Sequence, residues 1–147
     1  MLFLASSDTM CELIVRSDSM NDVLSWLLAG HMLGDFIFQT NWMAERKTKE
    51  YSPLFIHCAI YACSIWFSSL PVPHPVEIDS FRLIPWGLSP LSVLFVFISH
   101  AVIDRRKITI WWCRNVTRSD KMWLLIMTDQ SLHVIILAIT CLLERSI

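Results

Sequence analysis

Four apolar stretches, each long enough to cross a lipid bilayer as a helix, constrain the fold of this chain more than any other feature. They cover residues 22–43, 53–70, 89–110 and 121–143. A backbone in lipid satisfies its hydrogen bonds only in a helix or a closed barrel, and ~20 apolar residues suffice for a helical span. The pattern therefore predicts an all-α integral membrane protein, a four-helix bundle.

The overall composition points the same way. Hydrophobic residues make up 54% of the 147 residues and charged residues 17%, whereas soluble domains carry ~25% charge. The net charge of -1 gives no sign of nucleic acid as a partner. Because the chain is so apolar, we expect membrane lipid to be its main partner, and a homo-oligomer or another protein partner remains open. Residues 1–21 are predicted as an N-terminal tail or interfacial helix, and residues 22–147 as the four-transmembrane-helix domain.

The basic residues predict the orientation of these spans. Nine of the twelve lie in the connections 41–53 and 105–121, while the 71–88 connection holds only Arg82. Because Lys and Arg concentrate in cytoplasmic loops, both basic connections are predicted to be cytoplasmic. Both termini are then expected outside the cytoplasm.

Polar side chains recur inside the predicted spans at helical spacing. His31 and Asp35, His100 and Asp104, and Asp129 and His133 are each four residues apart, so each pair shares one helix face. The remaining histidine in a span is His57. An unpaired charge in a bilayer costs ~2.5–3.5 kcal/mol on insertion scales, so these groups are expected to face inward and neutralise one another.

Imidazole and carboxylate groups suit a divalent ion such as Zn, Mn or Fe, and a metal is therefore an expected cofactor. A metal would polarise a carbonyl or phosphoryl oxygen and activate water, with Asp104 or Asp129 as the catalytic general base. The predicted metal ligands share a layer in the cytoplasmic half of the bilayer: His31, Asp35, His57, His100, Asp104, Asp129 and His133.

Further residues are predicted to support this site. Gln39 and Gln130 lie on the same helix faces as the ligands and are predicted to hydrogen-bond them. Lys47 and Lys107 each follow an HxxxD pair into a basic connection, which favours binding of a phosphate group or an anionic lipid. The repeated HxxxD pattern is consistent with two duplicated helical hairpins.

At these residues the chain resembles a bacterial and phage membrane family, domain of unknown function 3307 (DUF3307). The likeness covers residues 22–143 and lies in HMLGDFIFQTNWMAERK, the second-span His57, HAVIDRRK and DQSLH. The resemblance implies a small multi-span protein of the bacterial inner membrane. More distantly, the pattern is similar to membrane-bound metal-dependent hydrolases with intramembrane His and Asp residues.

Three functions remain open from the sequence. The first is a metal-dependent intramembrane hydrolase or related lipid-active enzyme. The second is a non-enzymatic membrane interaction or effector protein in which the polar cluster is structural, since polar contacts often join membrane helices. The third is a proton or ion pathway through the same groups.

Overall fold

The computed structural model of the chain describes residues 23–71 and 87–146. The predicted tail 1–21 lies outside the described residues, as does most of the 71–88 connection. Six helices occur in the described part: α1 (Val23–Ile37), α2 (Asn41–Arg46), α3 (Tyr51–Ser69), α4 (Pro90–Asp104), α5 (Lys107–Asn115) and α6 (Met122–Ser146). The all-helical prediction is confirmed for these residues.

Two of the predicted spans are interrupted. The first, 22–43, ends near Phe38, and Thr40 begins α2 by accepting a hydrogen bond from the Met43 backbone. The third, 89–110, ends at Asp104, because Arg106 adopts a left-handed conformation (φ 56°) and redirects the chain into α5. The pattern of apolar residues cannot predict such a turn, because the turn is set by the φ angle of one residue.

Among the described residues, one helix combines the length and the apolar composition needed to cross a membrane. Met122–Glu144 is long and apolar enough, whereas Val23–Ile37 and Pro90–Asp104 are apolar but shorter. Fifteen-residue helices such as α4 extend only ~22 Å, compared with ~30 Å for a hydrocarbon core. The predicted count of four spans thus exceeds what helix length and composition establish.

The packing centres on α3, α4 and α6. Helix α4 packs against both α3 and α6, while the end of α1 packs against α3. The approach of α1 to α3 depends on two glycines: a Cβ on Gly30 would lie 2.9 Å from the Ser64 carbonyl, and one on Gly34 would lie 3.0 Å from the Tyr61 Cα. Small residues at these two positions therefore permit the close packing of α1 against α3.

Helix α5 lies across the ends of this assembly. It contacts both α4 and α6, and its two buried side chains are Thr109 and Cys113. Its other face is exposed and carries Trp111 and Trp112.

The distribution of polarity is reversed relative to a water-soluble bundle. Along α4, Ser92, His100 and Asp104 are buried, while Leu91 (64%) and Leu94 (53%) are exposed. Buried apolar side chains form a layer beside these polar residues, nearer to the Ser89 end of α4. Its members are Leu27, Tyr61, Ile65, Leu88, Val96, Leu137 and Cys141. The helices therefore bury acids and histidines and present aliphatic side chains outward.

Candidate metal centre

Four helices direct polar side chains to one buried region. Five of these side chains, which we call the histidine–aspartate cluster, come from α1, α3, α4 and α6: Asp35, His57, His100, Asp104 and His133. Each is at most 5% exposed. The i,i+4 spacing of His100 and Asp104 places both on the inner face of α4, and the other helices add their members at the same level.

Two imidazoles form the middle of the histidine–aspartate cluster. The Nε2 atoms of His57 and His100 lie 3.0 Å apart. Asp104 Oδ2 is 3.0 Å from the first and 3.2 Å from the second. Asp35 Oδ1 approaches the same two nitrogens from α1, at 3.2 and 3.4 Å. Two carboxylates from different helices therefore converge on one pair of imidazole nitrogens.

His133 completes the histidine–aspartate cluster from α6, and its orientation is fixed. Its Nδ1 donates to the Asp129 backbone carbonyl at 2.8 Å, which leaves Nε2 as the unprotonated nitrogen of a neutral ring. His133 Nε2 is buried without a hydrogen-bond partner among the described residues. A backbone carbonyl that holds one ring nitrogen in this way is typical of metal-ligating histidines.

Two overlapping groups of ligand atoms could hold a metal ion. One consists of Asp35, His100 and His133, and the other of His57, His100 and Asp104, with the ligand atoms of each group within 4.8 Å of one another. For ligand bonds of ~2.0–2.1 Å, a tetrahedron separates the ligand atoms by about 3.3–3.4 Å. The separations of 3.0–3.4 Å around His100 are close to this value.

Lys47 supplies the one cation in direct contact with the cluster among the described residues. Its buried ammonium donates to Asp104 Oδ1 at 3.0 Å and to His57 Nε2 at 3.1 Å, and lies 2.9 Å from Asp104 Oδ2. The second group of ligand atoms is thus already next to a positive charge. The ligand atoms that belong only to the first group, Asp35 Oδ1 and His133 Nε2, have no described cation in contact with them. Both atoms also lack hydrogen bonds within the described ranges.

His31 lies beside the histidine–aspartate cluster and is held by two other side chains. Its Nε2 donates to Gln130 Oε1 at 2.9 Å, so its Nδ1 accepts from the Tyr61 hydroxyl at 3.1 Å. The distance from His31 Nδ1 to Asp35 Oδ2 is 3.7 Å, and the ring stacks on that of His133 with centroids 5.5 Å apart. Both nitrogens of His31 are therefore engaged outside the ligand groups.

Asp129 is buried but faces elsewhere. Its Oδ1 accepts a hydrogen bond from Thr109 of α5 at 3.2 Å, and it belongs to neither ligand group. Of the other predicted residues, Gln130 contacts His31 as described above. The buried Gln39 Oε1 has no hydrogen-bond partner in the described part of the chain. Lys107 is exposed at the start of α5.

Two features of the site were not predicted from the sequence. The Tyr61 ring stacks on the His100 ring at 3.6 Å between centroids, and Thr109 binds Asp129 across helices. Tyr61 lies four residues after His57, the same spacing as the HxxxD pairs, so the helical pattern contained a signal for it. Nothing in the sequence of α5 distinguishes Thr109 from a surface residue.

A separate polar group lies at the other end of α4. The buried Glu144 carboxylate accepts from the Ser89 backbone N–H and hydroxyl, both at 3.0 Å, and from the Ser92 hydroxyl at 2.5 Å. These bonds satisfy the start of α4 and join it to α6. The apolar layer described above lies between this group and the histidine–aspartate cluster.

Comparison with known proteins gives one family. A family model described as "Protein of unknown function (DUF3307)" matches residues 23–146, nearly the whole chain. No curated protein and no solved structure matches it. The likeness to membrane-bound metal-dependent hydrolases has no support from these comparisons.

Proposed function

Since the chain belongs to the DUF3307 family, whose function is unknown, we propose from its own geometry that it is an integral membrane protein with a divalent metal centre, which serves hydrolysis of a membrane lipid. The metal centre is the part most directly supported by the geometry. The membrane setting and the reaction follow from the surroundings of the histidine–aspartate cluster.

The reversed polarity of the bundle supports the membrane setting. An exterior of aliphatic side chains around buried acids and histidines suits a hydrocarbon solvent, whereas soluble monomers rarely expose large contiguous apolar patches. The length of α6 agrees with this setting. Shorter apolar helices such as α4 fit a bilayer that thins locally around them, at a cost of a fraction of a kcal/mol per Å. The four-span count, the inner-membrane location and the outward-facing termini belong to the same proposal.

The observation that carries the metal proposal is the convergence of the buried ligand atoms of Asp35, His100 and His133, two of which have no hydrogen bond among the described residues. Asp35 Oδ1 and His133 Nε2 are both buried without a hydrogen bond in the described part of the chain, and both belong to the ligand group that includes His100. A buried polar atom left unsatisfied costs ~1–3 kcal/mol. A cation among these three side chains removes that cost.

Charge supports the same conclusion. The histidine–aspartate cluster contains two carboxylates, whereas Lys47 provides one positive charge in contact with it. One negative charge is therefore left without a counter-charge, which favours a bound cation at Asp35, His100 and His133. Mixed nitrogen and oxygen ligands suit Zn, Mn or Fe. His57 and Asp104 border the ion, with Asp104 held by Lys47. His31 and the Asp129 side chain then lie beside the ligands without binding the ion, since they bind Gln130 and Thr109 respectively.

The chemistry available at such a centre is hydrolytic. A bound divalent ion polarises a carbonyl or phosphoryl oxygen and activates water. Of the two acids predicted for proton transfer, Asp104 is the one in contact with the cluster imidazoles. The Lys47 ammonium lies within 3.0 Å of both Asp104 oxygens, which orients the carboxylate.

The reaction can be tested in proteoliposomes of phosphatidylethanolamine and phosphatidylglycerol, with products identified by mass spectrometry. We expect products that disappear with a chelator, return with added Zn or Mn, and are absent for Asp35→Asn. Asp120→Asn makes the same chemical change at an exposed position and should leave product formation unchanged. Intact lipids with the metal-loaded wild type would contradict the hydrolytic part of the proposal.

A second candidate is favoured by one specific contact. Lys47 already neutralises Asp104, so a metal-free network becomes neutral if one cluster histidine takes up a proton. The histidine–aspartate cluster would then be structural, or would carry protons. Metal content separates the two candidates, because a metal-free network leaves the purified protein without a stoichiometric ion.

A further inference from the structure

A groove on the outside of the bundle reaches His31, which lies beside the histidine–aspartate cluster. It has a volume of about 370 Å³, lies between α1 and α6, and is lined by these residues: His31, Met32, Met127, Gln130, Ser131, Val134 and Ile135. Small-molecule sites commonly have volumes of ~300–1,000 Å³ and apolar walls with few polar groups. The groove has this composition, because its polar groups are confined to His31, Gln130 and Ser131.

The walls of the groove are apolar and open outward. Met32 is 46% exposed, Met127 54% and Ile135 52%. Ile139 and Leu142 extend the same exposed apolar surface along α6. In the proposed membrane setting this surface faces the acyl chains, so a lipid chain reaches the groove sideways without crossing water.

The hydrogen-bonding groups at the polar end of the groove determine which ligand atoms it can bind. Gln130 Oε1 is engaged by His31 Nε2, whereas the Gln130 amide nitrogen has no hydrogen bond to any described residue. Ser131 donates its hydroxyl to the Met127 carbonyl. The open donors are therefore the Gln130 amide protons, which require an oxygen acceptor such as an ester carbonyl or a phosphoryl oxygen.

The position of this donor connects the groove to the metal centre. The His31 ring bound to Gln130 stacks on His133, with centroids 5.5 Å apart, and its Nδ1 is 3.7 Å from Asp35 Oδ2. One side chain thus separates the polar end of the groove from the ligand group of the metal.

We propose that this groove is the lateral entrance for a membrane phospholipid, with an acyl chain on the methionine-lined wall and an ester or phosphoryl oxygen on the Gln130 amide. This inference rests on the proposed function, for which it names the substrate class and the route of entry. It assigns Gln130 a contact with substrate in addition to its contact with His31.

The test uses the full chain in nanodiscs of phosphatidylethanolamine and phosphatidylglycerol, with a trace of phosphatidylethanolamine that carries a diazirine on one acyl chain. After irradiation, mass spectrometry maps the crosslinks. We expect crosslinks at Met32 and Met127 in excess of those at Leu94 and Ile98, which are equally exposed apolar residues on α4.

Substitutions at Val134 and Gln130 test the shape of the groove and its hydrogen-bond donors separately. Val134→Trp fills the groove and should abolish this excess, whereas Leu94→Trp, which adds the same bulk on α4, should leave it unchanged. Gln130→Met keeps the volume but removes both the amide donors and the oxygen that accepts from His31. Loss of a donor hydrogen bond of ~1 kcal/mol to the lipid predicts about a fivefold fall in groove crosslinking, and an unchanged metal content shows that the loss of the His31 contact has not disturbed the metal centre. Helix content by circular dichroism confirms that each variant is folded.

Equal labelling of the groove and of α4 would mean general contact with bilayer lipid and would overturn the proposal. Crosslinking that instead joins two copies through α6 would also overturn it, because a second chain would then cover the groove. Metal content is measured on the same samples. A metal-loaded protein without selective labelling refutes the entrance alone, whereas selective labelling without metal refutes the proposed metal centre and leaves the lipid site.

Discussion

Replacement of Lys47 by Met tests how the histidine–aspartate cluster is neutralised. The Lys47 ammonium is buried and lies 2.9–3.1 Å from three cluster atoms, two of them on Asp104. Removal of one partner from a buried ion pair costs ~3–5 kcal/mol, because the other charge remains buried and uncompensated. In the presence of a chelator we therefore expect Lys47→Met to be less stable than wild type by about that amount.

Divalent metal should reverse most of this loss. Without the ammonium, Asp104, His57 and His100 form a ligand group open to an ion. An ion present at about a thousand times its Kd stabilises the folded state by ~4 kcal/mol, which matches the loss. Wild type also gains stability from an ion at Asp35, so the reference for this recovery is wild type in chelator, whose stability metal-loaded Lys47→Met should approach.

The assay is unfolding in detergent micelles, followed by tryptophan fluorescence with chelator and with increasing Zn or Mn. Lys49→Met is the matched control: Lys49 is exposed in the same turn, and surface changes of this kind shift stability by no more than ~0.5 kcal/mol. If Lys47→Met behaves like Lys49→Met, the buried ion pair is refuted. If Lys47→Met is destabilised but added metal does not raise its stability, neither ligand group of the variant binds an ion.

Two further substitutions test the packing around the site. Gly34→Ala should destabilise the fold by ~1–3 kcal/mol, because the added Cβ would lie 3.0 Å from the Tyr61 Cα; unchanged thermal unfolding would contradict the close approach of α1 and α3. Tyr61→Phe leaves His31 Nδ1 without its hydrogen-bond donor and should cost ~1–3 kcal/mol while the metal content is retained; loss of metal would show that Tyr61 acts on the ligands themselves.

The sequence predicted the inward face of each helix well. A spacing of four residues places two side chains on one face whatever the neighbouring helices do, and His100 and Asp104 accordingly meet in the structure. The same spacing says nothing about how far each helix rotates toward its neighbours. For that reason Asp129 and His133 share a face of α6, yet His133 points to the cluster and Asp129 to Thr109.

The sequence pattern also failed to predict where the helices are interrupted, and therefore where Lys47 lies. Lys47 was predicted as an anion-binding residue, because it follows an HxxxD pair into a basic connection that is predicted to be cytoplasmic. The break at Phe38 and the short α2 instead bring its side chain back into the bundle, where it pairs with Asp104. Its proposed role toward an external anion stays a prediction.

The most direct test of the metal centre is the metal content of the detergent-purified protein by elemental analysis, with Asp35→Asn and Asp129→Asn measured beside wild type. Both acids are buried, and Asn keeps their shape without the charge, so the pair separates a ligand from a neighbour. We predict about one divalent ion per chain in wild type and in Asp129→Asn, and a loss of more than a hundredfold in affinity for Asp35→Asn, since even residues that only orient ligands contribute ~10–100-fold. A wild-type protein without a stoichiometric ion, or equal metal content in both variants, would contradict the proposed centre.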